Sequence, residues 1–209
     1  MIVQKVFFSD VFAANCYFYV DAKSRHGFVI DPSAHAEILF KTIQKNDWII
    51  EKILLTHSHL DHIGAALELS RMLNADIFGM KAAEEYLINP NLRGHFTDWN
   101  VLRNMRYLND GDEIVLTGNK DVVLKVFHTS GHTLDSCIFY DAKEKIAFTG
   151  DTIFASSVGR TDIEGSGGDE KQLFQSIQTK ILRLPEDTIL YPGHGEETTV
   201  GREKQFFVF

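Results

Sequence analysis

The sequence is poor in cysteine and proline, and it lacks a long apolar run. Its two cysteines, Cys16 and Cys137, are too few for a disulfide framework, and each lies in an apolar, strand-like segment. We therefore expect buried free thiols at both positions. No uninterrupted apolar stretch reaches the roughly 18 residues of a membrane helix, and the basic start of a signal peptide is missing. These absences predict a cytoplasmic protein without a membrane partner.

Positive charge is also in deficit. The 21 Lys and Arg residues face 29 Asp and Glu residues, which gives a formal net charge of −8. Such a mean field repels phosphate backbones and anionic headgroups, so nucleic acid is a disfavoured partner. A chain of 209 residues with 44% hydrophobic composition can bury one substantial core, and we expect a single domain over residues 1–209.

Strand-like and helix-like patterns alternate along the chain, which predicts an α/β fold. Residues 91–106 fit neither pattern. Strands are predicted at Ile2–Phe8, Asn15–Val20, Gly27–Ile30, Lys52–Leu55, Glu113–Leu116, Val122–Thr129, Ser136–Tyr140, Lys145–Thr149 and Thr188–Tyr191. Helices are predicted at Ala36–Asn46, from Ile63 to Asn74, at Lys81–Ile88 and at Glu170–Leu182.

The segment His57-Ser58-His59-Leu60-Asp61-His62 places three imidazoles and a carboxylate between a predicted strand and a predicted helix. On an extended segment, His57 and His59 point to the same side and can bind one cation. Asp61 and His62 face other directions and suit a second cation. Histidine and aspartate without nearby cysteine favour an open, catalytic site for zinc, manganese or iron. The alternative is that these histidines cap the helix and form surface hydrogen bonds.

Further candidate ligands follow three other predicted strands. His132, Asp151 and His194 each lie beside a glycine, whose lack of a side chain allows close approach to a crowded site. Taken alone, a histidine at a strand end is more often simply hydrogen-bonded. Together with the His57–His62 segment, the three residues predict one two-metal cleft. We expect His26, His35 and His95 at the surface and His128 in the core or behind the ligands.

Five segments of the chain resemble the metallo-β-lactamase superfamily, and within it the small proteins similar to glyoxalase II hydroxyacylglutathione hydrolases. They are THSHLDH at 56–62, SGHT at 130–133, FTGDTIF at 148–154, VGRTD at 158–162 and PGHG at 192–195. The resemblance implies an αββα sandwich of two mixed sheets flanked by helices. It also implies that the C-terminal helical domain of the full-length thioesterases is lacking.

The resemblance assigns the seven candidate ligands to two metals, most simply two zinc ions, with iron or manganese as alternatives. His57, His59 and His132 would bind the first ion, and Asp61, His62 and His194 the second. Asp151 would bridge the two ions. The family's usual Gly-Cys before Gly-Arg is replaced here by Ser157-Val158, which leaves glutathione recognition open.

These observations predict a metal-dependent hydrolase that acts on small acyl thioesters or esters. A hydroxide between two cations would attack a polarised carbonyl, with Asp61 and Asp151 as catalytic residues. Three alternatives remain: an iron-dependent persulfide dioxygenase, a lactonase, and a non-catalytic metal-binding partner protein. Arg160 is interpreted as an ion-pair residue rather than a substrate contact. The oligomeric state and the role of the apolar tail, residues 206–209, stay open.

Overall fold

The computed structural model describes residues 1–92 and 97–207 of the chain. Within these ranges, the first half contributes strands β1 (Ile2–Phe8), β2 (Ala14–Val20), β3 (His26–Ile30), β4 (Ile49–Leu54), β5 (Asp76–Met80) and β6 (Arg106–Leu108). The second half contributes β7 (Glu113–Leu116), β8 (Asn119–His128), β9 (Cys137–Asp141), β10 (Ile146–Gly150), β11 (Ile189–Pro192) and β12 (Thr198–Thr199). They form two mixed six-stranded sheets, ordered β1-β2-β3-β4-β5-β6 and β12-β11-β10-β9-β8-β7.

The helices lie on the outer faces of the two sheets. Those of the first half are α1 (Ala36–Lys45), α2 (Leu60–Ile63), α3 (Ala66–Leu73), α4 (Glu84–Ile88) and α5 (Trp99–Asn104), and those of the second half are α6 (Glu170–Ser176) and α7 (Val200–Phe206). Single turns of 3-10 helix occur at Lys81–Ala83 and Pro90–Leu92, and a π-helical turn at Ile177–Ile181 extends α6. Among the described residues, no helix is both long and apolar enough to cross a membrane.

Alternation along the strands divides the core into layers. On β2, Phe18 packs with the apolar faces of α1 and α3, whereas Tyr17 and Tyr19 point between the sheets. On β9, Phe139 points between the sheets and Ile138 packs with α6. Because successive side chains of a strand face opposite sides, a strand covered on both faces is apolar throughout. The predicted αββα sandwich is confirmed.

The sequence predictions differ from the structure mainly in the short elements. β1 and β7 have the predicted bounds, and the other predicted strands agree to within a few residues. The predicted helix after Ile63 begins earlier, at Leu60, and is interrupted before Ala66. The Lys81–Ile88 helix opens with a 3-10 turn, and the predictions missed β5, β6, β12 and α7. In the unassigned stretch 91–106, α5 forms, and residues 93–96 lie outside the described residues.

Glu51 of β4 ties the two sheets together at the end of the sandwich opposite the predicted ligands. Its carboxylate accepts hydrogen bonds from the backbone N–H groups of Thr117 (2.6 Å) and Gly118 (2.7 Å), and His26 Nδ1 lies 2.7 Å from it. His26 is partly buried and paired with Glu51, so the prediction that it lies at the surface was wrong. Burial alone would raise the pKa of Glu51, but these hydrogen bonds outweigh burial and hold the pKa at about 2.

Glu51→Gln is expected to lower the free energy of unfolding at pH 7 by about 1–3 kcal/mol, because one backbone N–H then faces an amide N–H. The folded-state pKa of about 2 lies below the ordinary value of 4.5. The contribution of the carboxylate is therefore complete above about pH 4.5 and is lost as the pH falls toward 2. Urea unfolding of both proteins between pH 7 and pH 3 measures this difference.

The matched control is Glu113→Gln, at an exposed position on β7. It should leave stability within about 0.5 kcal/mol of the parent. A Glu51→Gln protein as stable as the Glu113→Gln protein at pH 7 would show that the link between the sheets contributes nothing.

Candidate metal centre

The predicted ligands lie at one edge of the sandwich because their strands end there. β3 and β4 are parallel in the first sheet, and the segment that follows β4 carries His57–His62. In the second sheet, β8 and β10 are both antiparallel to β9, and β11 is parallel to β10. β8, β10 and β11 therefore run in the same direction. The loops after these three strands carry His132, Asp151 and His194, and they meet the His57–His62 segment where the two sheets approach.

Three imidazole nitrogens converge in a first cluster formed by His57, His59 and His132. The Nε2 atoms of His57 and His132 each lie 3.1 Å from Nδ1 of His59. The three ring planes meet at 81°, 79° and 84°, so their edges point toward a common centre. Two nitrogen ligands of a tetrahedral zinc ion at ordinary bond lengths lie about 3.3 Å apart. This spacing fits one divalent cation.

A second cluster contains Asp61, His62 and His194, whose candidate donor atoms lie within 4.8 Å of one another. The Nε2 atom of His194 lies 3.4 Å from Asp61 Oδ2 and 3.4 Å from His62 Nε2. Two nitrogens and a carboxylate oxygen are a suitable donor set for zinc, iron or manganese. The two clusters adjoin at His57 of the first and His62 of the second, whose ring centroids are 4.1 Å apart.

Asp151 lies between the clusters and reaches both. One carboxylate oxygen is 3.3 Å from His62 Nε2, and the other is 3.6 Å from His132 Nε2 and 3.4 Å from His194 Nε2. Its Oδ1 atom is buried and has no hydrogen-bond partner among the described residues. A buried carboxylate oxygen without a hydrogen-bond donor is costly unless a cation compensates it. The atom lacks a hydrogen bond to any described residue although His62 Nε2 is 3.3 Å away, which is an independent indication that the site fits metal ions.

The electrostatics of the site agree with metal binding. Burial is the main cause that lowers the pKa of His57, and it lowers the pKa of His59 to about 3, so both rings are neutral ligands at pH 7. Burial also lowers the pKa of His194, but hydrogen bonds to Asp151 and Asp61 outweigh it and raise the pKa to about 9. The second cluster therefore stabilises positive charge.

The outward nitrogen of each ligand histidine has a partner that holds the ring. His132 Nδ1 donates to the carbonyl of Arg160 (2.5 Å), and His194 Nδ1 donates to that of Ala13 (3.2 Å). His59 Nε2 lies 2.8 Å from Ser166 Oγ. Because a carbonyl only accepts, the first two contacts fix the proton on Nδ1 and turn the Nε2 lone pair inward. The rings are thus turned toward the clusters, and the side chain of His59 forms no capping hydrogen bond to α2.

Asp31, which follows β3, was not predicted from the sequence. Its carboxylate orients two of the predicted ligands, His57 and His62. Its Oδ2 atom accepts from Thr56 Oγ1 (2.6 Å) and from His62 Nδ1 (3.0 Å). Thr56 Oγ1 is then free to accept from His57 Nδ1, at 3.1 Å. The available indication was a carboxylate directly after a buried strand, on the strand next to the one that leads to His57.

A second missed residue is Asp135, whose buried carboxylate supports the first cluster from behind. It accepts hydrogen bonds from Ser58 Oγ and from the Tyr86 hydroxyl, and Tyr86 also lies 2.8 Å from the carbonyl of Ser166. Ser58 separates His57 from His59 in the chain, so this network braces the segment that presents them. No sequence pattern distinguished Asp135 from an ordinary turn aspartate.

Gly193 shows why glycine is needed beside a ligand. A Cβ atom at this position would overlap Asp151 Oδ1 and lie 2.5 Å from the ring of His62. Asn15 holds this loop in place, because its side chain donates to the carbonyls of Pro192 (3.0 Å) and Gly195 (2.9 Å).

The remaining predictions have simple outcomes. Arg160 forms a two-point ion pair with Asp162, as its structural interpretation expected. His35 is exposed and pairs with Asp10, while His128 is partly buried and bonded to Leu134 rather than to the site. Cys16 and Cys137 are buried and free. His95 and residues 208–209 of the tail lie outside the described residues.

A cleft of ≈ 750 Å³ opens above the two clusters, and its floor is formed by five of the predicted ligands: His59, Asp61, His132, Asp151 and His194. This volume falls within the range of small-molecule binding sites. Donor atoms of both clusters are therefore accessible to a small ligand in solution.

Comparison with known proteins agrees with this arrangement. A Haemophilus influenzae protein named hydroxyacylglutathione hydrolase GloC is 34% identical to the chain over 205 residues, which cover 93% of this chain and 91% of that protein. The crystal structure of BLEG-1 B3 metallo-beta-lactamase superposes with a TM-score of 0.83 at 29% identity, covering 98% of this chain and 97% of the other. TTHA1623 in a di-iron-bound form superposes with a TM-score of 0.81 at 29% identity, covering 97% and 98%.

The sequence profile of the family described as the metallo-beta-lactamase superfamily matches residues 9–194, which include all seven predicted ligands. The chain belongs to the metallo-beta-lactamase superfamily.

Proposed function

We propose that this protein is a dinuclear metal-dependent hydrolase that cleaves small acyl thioesters. The observation that carries the proposal is the buried Oδ1 atom of Asp151, which lacks a hydrogen bond within the described ranges and lies between two clusters of inward-facing histidines. Such a group favours bound cations over a set of structural hydrogen bonds. An accessible cleft above the clusters supports a catalytic site rather than a closed structural one.

In this proposal, His57, His59 and His132 hold one divalent cation, and Asp61, His62 and His194 hold the other, with Asp151 shared between them. Such a pair of cations, when bound, supplies a water of lowered pKa and an electrophile for a carbonyl oxygen. Zinc is the expected metal, because histidine and carboxylate donors suit it. Neither cluster of the described residues contains a cysteine, which favours a catalytic zinc site over a structural one. Iron is the main alternative, since one similar solved structure is described as di-iron-bound.

The protein's own groups orient the reaction. Asp61 lies on the cleft floor, 3.4 Å from His194, where its carboxylate can accept a hydrogen bond from the attacking water and align it with the substrate carbonyl. Asp151 fixes the spacing between the two halves of the site. A thiolate leaves without a proton at neutral pH more readily than an amine does, so the mechanism requires no dedicated general acid.

A thioester is the proposed substrate because the relative with 34% identity is named a hydroxyacylglutathione hydrolase. The reaction is proposed to take place in the cytoplasm, since the buried free thiols of Cys16 and Cys137 are typical of a reducing compartment. No further macromolecular partner is required by this chemistry.

The second candidate is an iron-dependent oxidation of a persulfide. It is suggested because the Gly159-Arg160-Thr161-Asp162 segment resembles the persulfide dioxygenases of the same superfamily. The second cluster argues against it, because a reaction at one iron leaves Asp61, His62 and His194 without a role. Oxygen uptake on glutathione persulfide, with one iron per chain, would favour this candidate over hydrolysis. Turnover of acyl-homoserine lactones would favour a lactonase. Absence of turnover on esters, thioesters and lactones alike would favour a non-catalytic metal-binding protein.

Asp151→Ala is expected to reduce the metal content from two ions per chain to one or fewer and to lower thioester turnover by at least a hundredfold. The physical reason is that the two halves of the site lose the carboxylate they share. Inductively coupled plasma mass spectrometry on protein purified with zinc measures the metal content, and release of free thiol measures the turnover.

Asp187→Ala removes an exposed carboxylate paired with Lys145 and serves as the control, with unchanged metal content and turnover. Two ions per chain in the Asp151→Ala protein would contradict the shared role of Asp151.

Asp31→Asn is expected to weaken metal binding by about tenfold to a hundredfold, since an outer carboxylate fixes the tautomer of its histidines. Both carboxylate oxygens accept hydrogen bonds, Oδ1 from the backbone N–H of Thr56 and Oδ2 from Thr56 Oγ1 and His62 Nδ1. The amide nitrogen therefore meets a donor in either orientation. Competition with a fluorescent zinc chelator measures the affinity.

The matched control is Asp141→Asn, because Asp141 is another buried carboxylate, bonded to Tyr19 at 2.7 Å and remote from the clusters. It should lose stability but keep its metal affinity. Equal metal affinity of the Asp31→Asn protein and the parent would refute the orienting role of Asp31.

A further inference from the structure

We infer that the cleft selects an apolar acyl compound whose thiol carrier bears no carboxylate, rather than a glutathione conjugate. The inference rests on the proposed hydrolase function and names the substrate class of the same site. The evidence lies in the side chains that form the walls of the cleft between its floor and the solvent. Any carrier or acyl chain must pass between these walls.

The walls of the cleft are largely apolar. Five of the described residues that line it present hydrocarbon or aromatic surface: Phe12, Leu60, Phe154, Val158 and Ile163. Leu60 is 39% exposed, although it directly precedes the ligand Asp61. Exposed apolar side chains grouped around a functional cleft mark a surface for an apolar ligand.

Phe12 is the clearest case, because 79% of its surface is exposed at the mouth of the cleft. Its φ is +49°, and the φ of Ala13 is +57°, a conformation that non-glycine residues rarely adopt. The same turn directs the Ala13 carbonyl to His194 Nδ1. The turn that holds His194 therefore also leaves the Phe12 ring exposed at the mouth of the cleft, where it can contact an apolar ligand.

On the wall of the cleft, above the metal floor, the positive side-chain charge is already paired. Arg160 is the one lysine or arginine among the lining residues that the structure describes. Its guanidinium forms two hydrogen bonds with Asp162, at 2.8 and 3.1 Å. This planar fork already satisfies the geometry that a substrate carboxylate would need. The Nε and Nη2 edge is thereby occupied. A carboxylate that binds the other edge, Nη1 and Nη2, would lie beside the negative charge of Asp162.

Negative charge remains in excess around the mouth. Glu164 lines the cleft beside Asp162. The nearest lysine on the His194 side, Lys5, is paired with Glu196 at 3.3 Å. Two acids therefore face one arginine on the wall. The bound cations would attract the reacting carbonyl at the floor, but a carrier that lies along this wall meets net negative side-chain charge. That charge disfavours the two carboxylates of glutathione, which carries only one ammonium group, whereas an uncharged thiol carrier is indifferent to it.

Two thioethers that cannot be hydrolysed separate these ligand classes. S-hexylglutathione and S-hexyl-N-acetylcysteamine present the same apolar chain on an anionic and on a neutral carrier. Isothermal calorimetry on the zinc-loaded protein is expected to give at least fivefold tighter binding of the neutral thioether. Equal affinity, or tighter binding of S-hexylglutathione, would overturn the inference.

Asp162→Asn releases Arg160 and is expected to tighten S-hexylglutathione roughly twofold to fivefold, the range of an exposed ion pair, with no change for the neutral thioether. Asp187→Asn breaks another exposed ion pair, with Lys145, and should change neither affinity. Tighter binding of both thioethers, or of neither, by the Asp162→Asn protein would contradict the proposed role of the Arg160–Asp162 ion pair.

Phe12→Ala is expected to weaken the neutral hexyl thioether at least threefold, because it removes apolar surface from the mouth of the cleft. Phe7→Ala is the control, since Phe7 is 53% exposed on β1 and does not line the cleft. Equal binding by the Phe12→Ala and Phe7→Ala proteins would remove the role assigned to Phe12.

Turnover is measured separately with the hexanoyl thioesters of the same two carriers. Faster hydrolysis of the neutral thioester supports both proposals. Hydrolysis of the glutathione thioester at the higher kcat/KM would overturn the inference on substrate class and leave the hydrolase intact. Absence of turnover on both thioesters, with two metals bound, would overturn the proposed thioesterase and the substrate class together.

Discussion

The structure depends on one buried carboxylate, Asp151, which lies between two clusters of histidines. Asp151 is surrounded by histidines whose outward nitrogens are bound elsewhere, and its Oδ1 atom has no hydrogen-bond partner in the described part of the chain. Burying such a group is unfavourable without a compensating positive charge. Both histidine clusters, the two metals proposed for them and the cleft above them are arranged around this atom.

The two sheets make that arrangement possible. Each sheet sends the carboxyl ends of like-directed strands to the same edge, and the inter-sheet core, with Tyr19 and Phe139, fixes the distance between them. Local contacts then refine the positions: Asp31 orients His57 through Thr56 and orients His62 directly. Asp135 and Asn15 hold the flanking loops. Ligand geometry is thus a property of the whole sandwich, not of the histidine-rich segment alone.

The fold class and the residues brought together at the site were predictable from the sequence, for physical reasons. Strands covered on both faces, such as β2 and β10, are mostly apolar, and the His57–His62 spacing is a strong local pattern. β6 and β12 are too short for a pattern, and β5, with Asp76 and Gly79, has weak strand propensity. Asp31 and Asp135 escaped notice because their role arises from residues distant in the chain. The pairing of Arg160 with Asp162 likewise required coordinates.

Anomalous diffraction from crystals of the zinc-loaded protein, recorded on both sides of the zinc absorption edge, tests the central claim most directly. The account predicts two peaks, one within about 2.2 Å of the inward nitrogens of His57, His59 and His132, and one at the same distance from His62 and His194, with Asp151 between them. A single peak, or peaks away from Asp151, would contradict it.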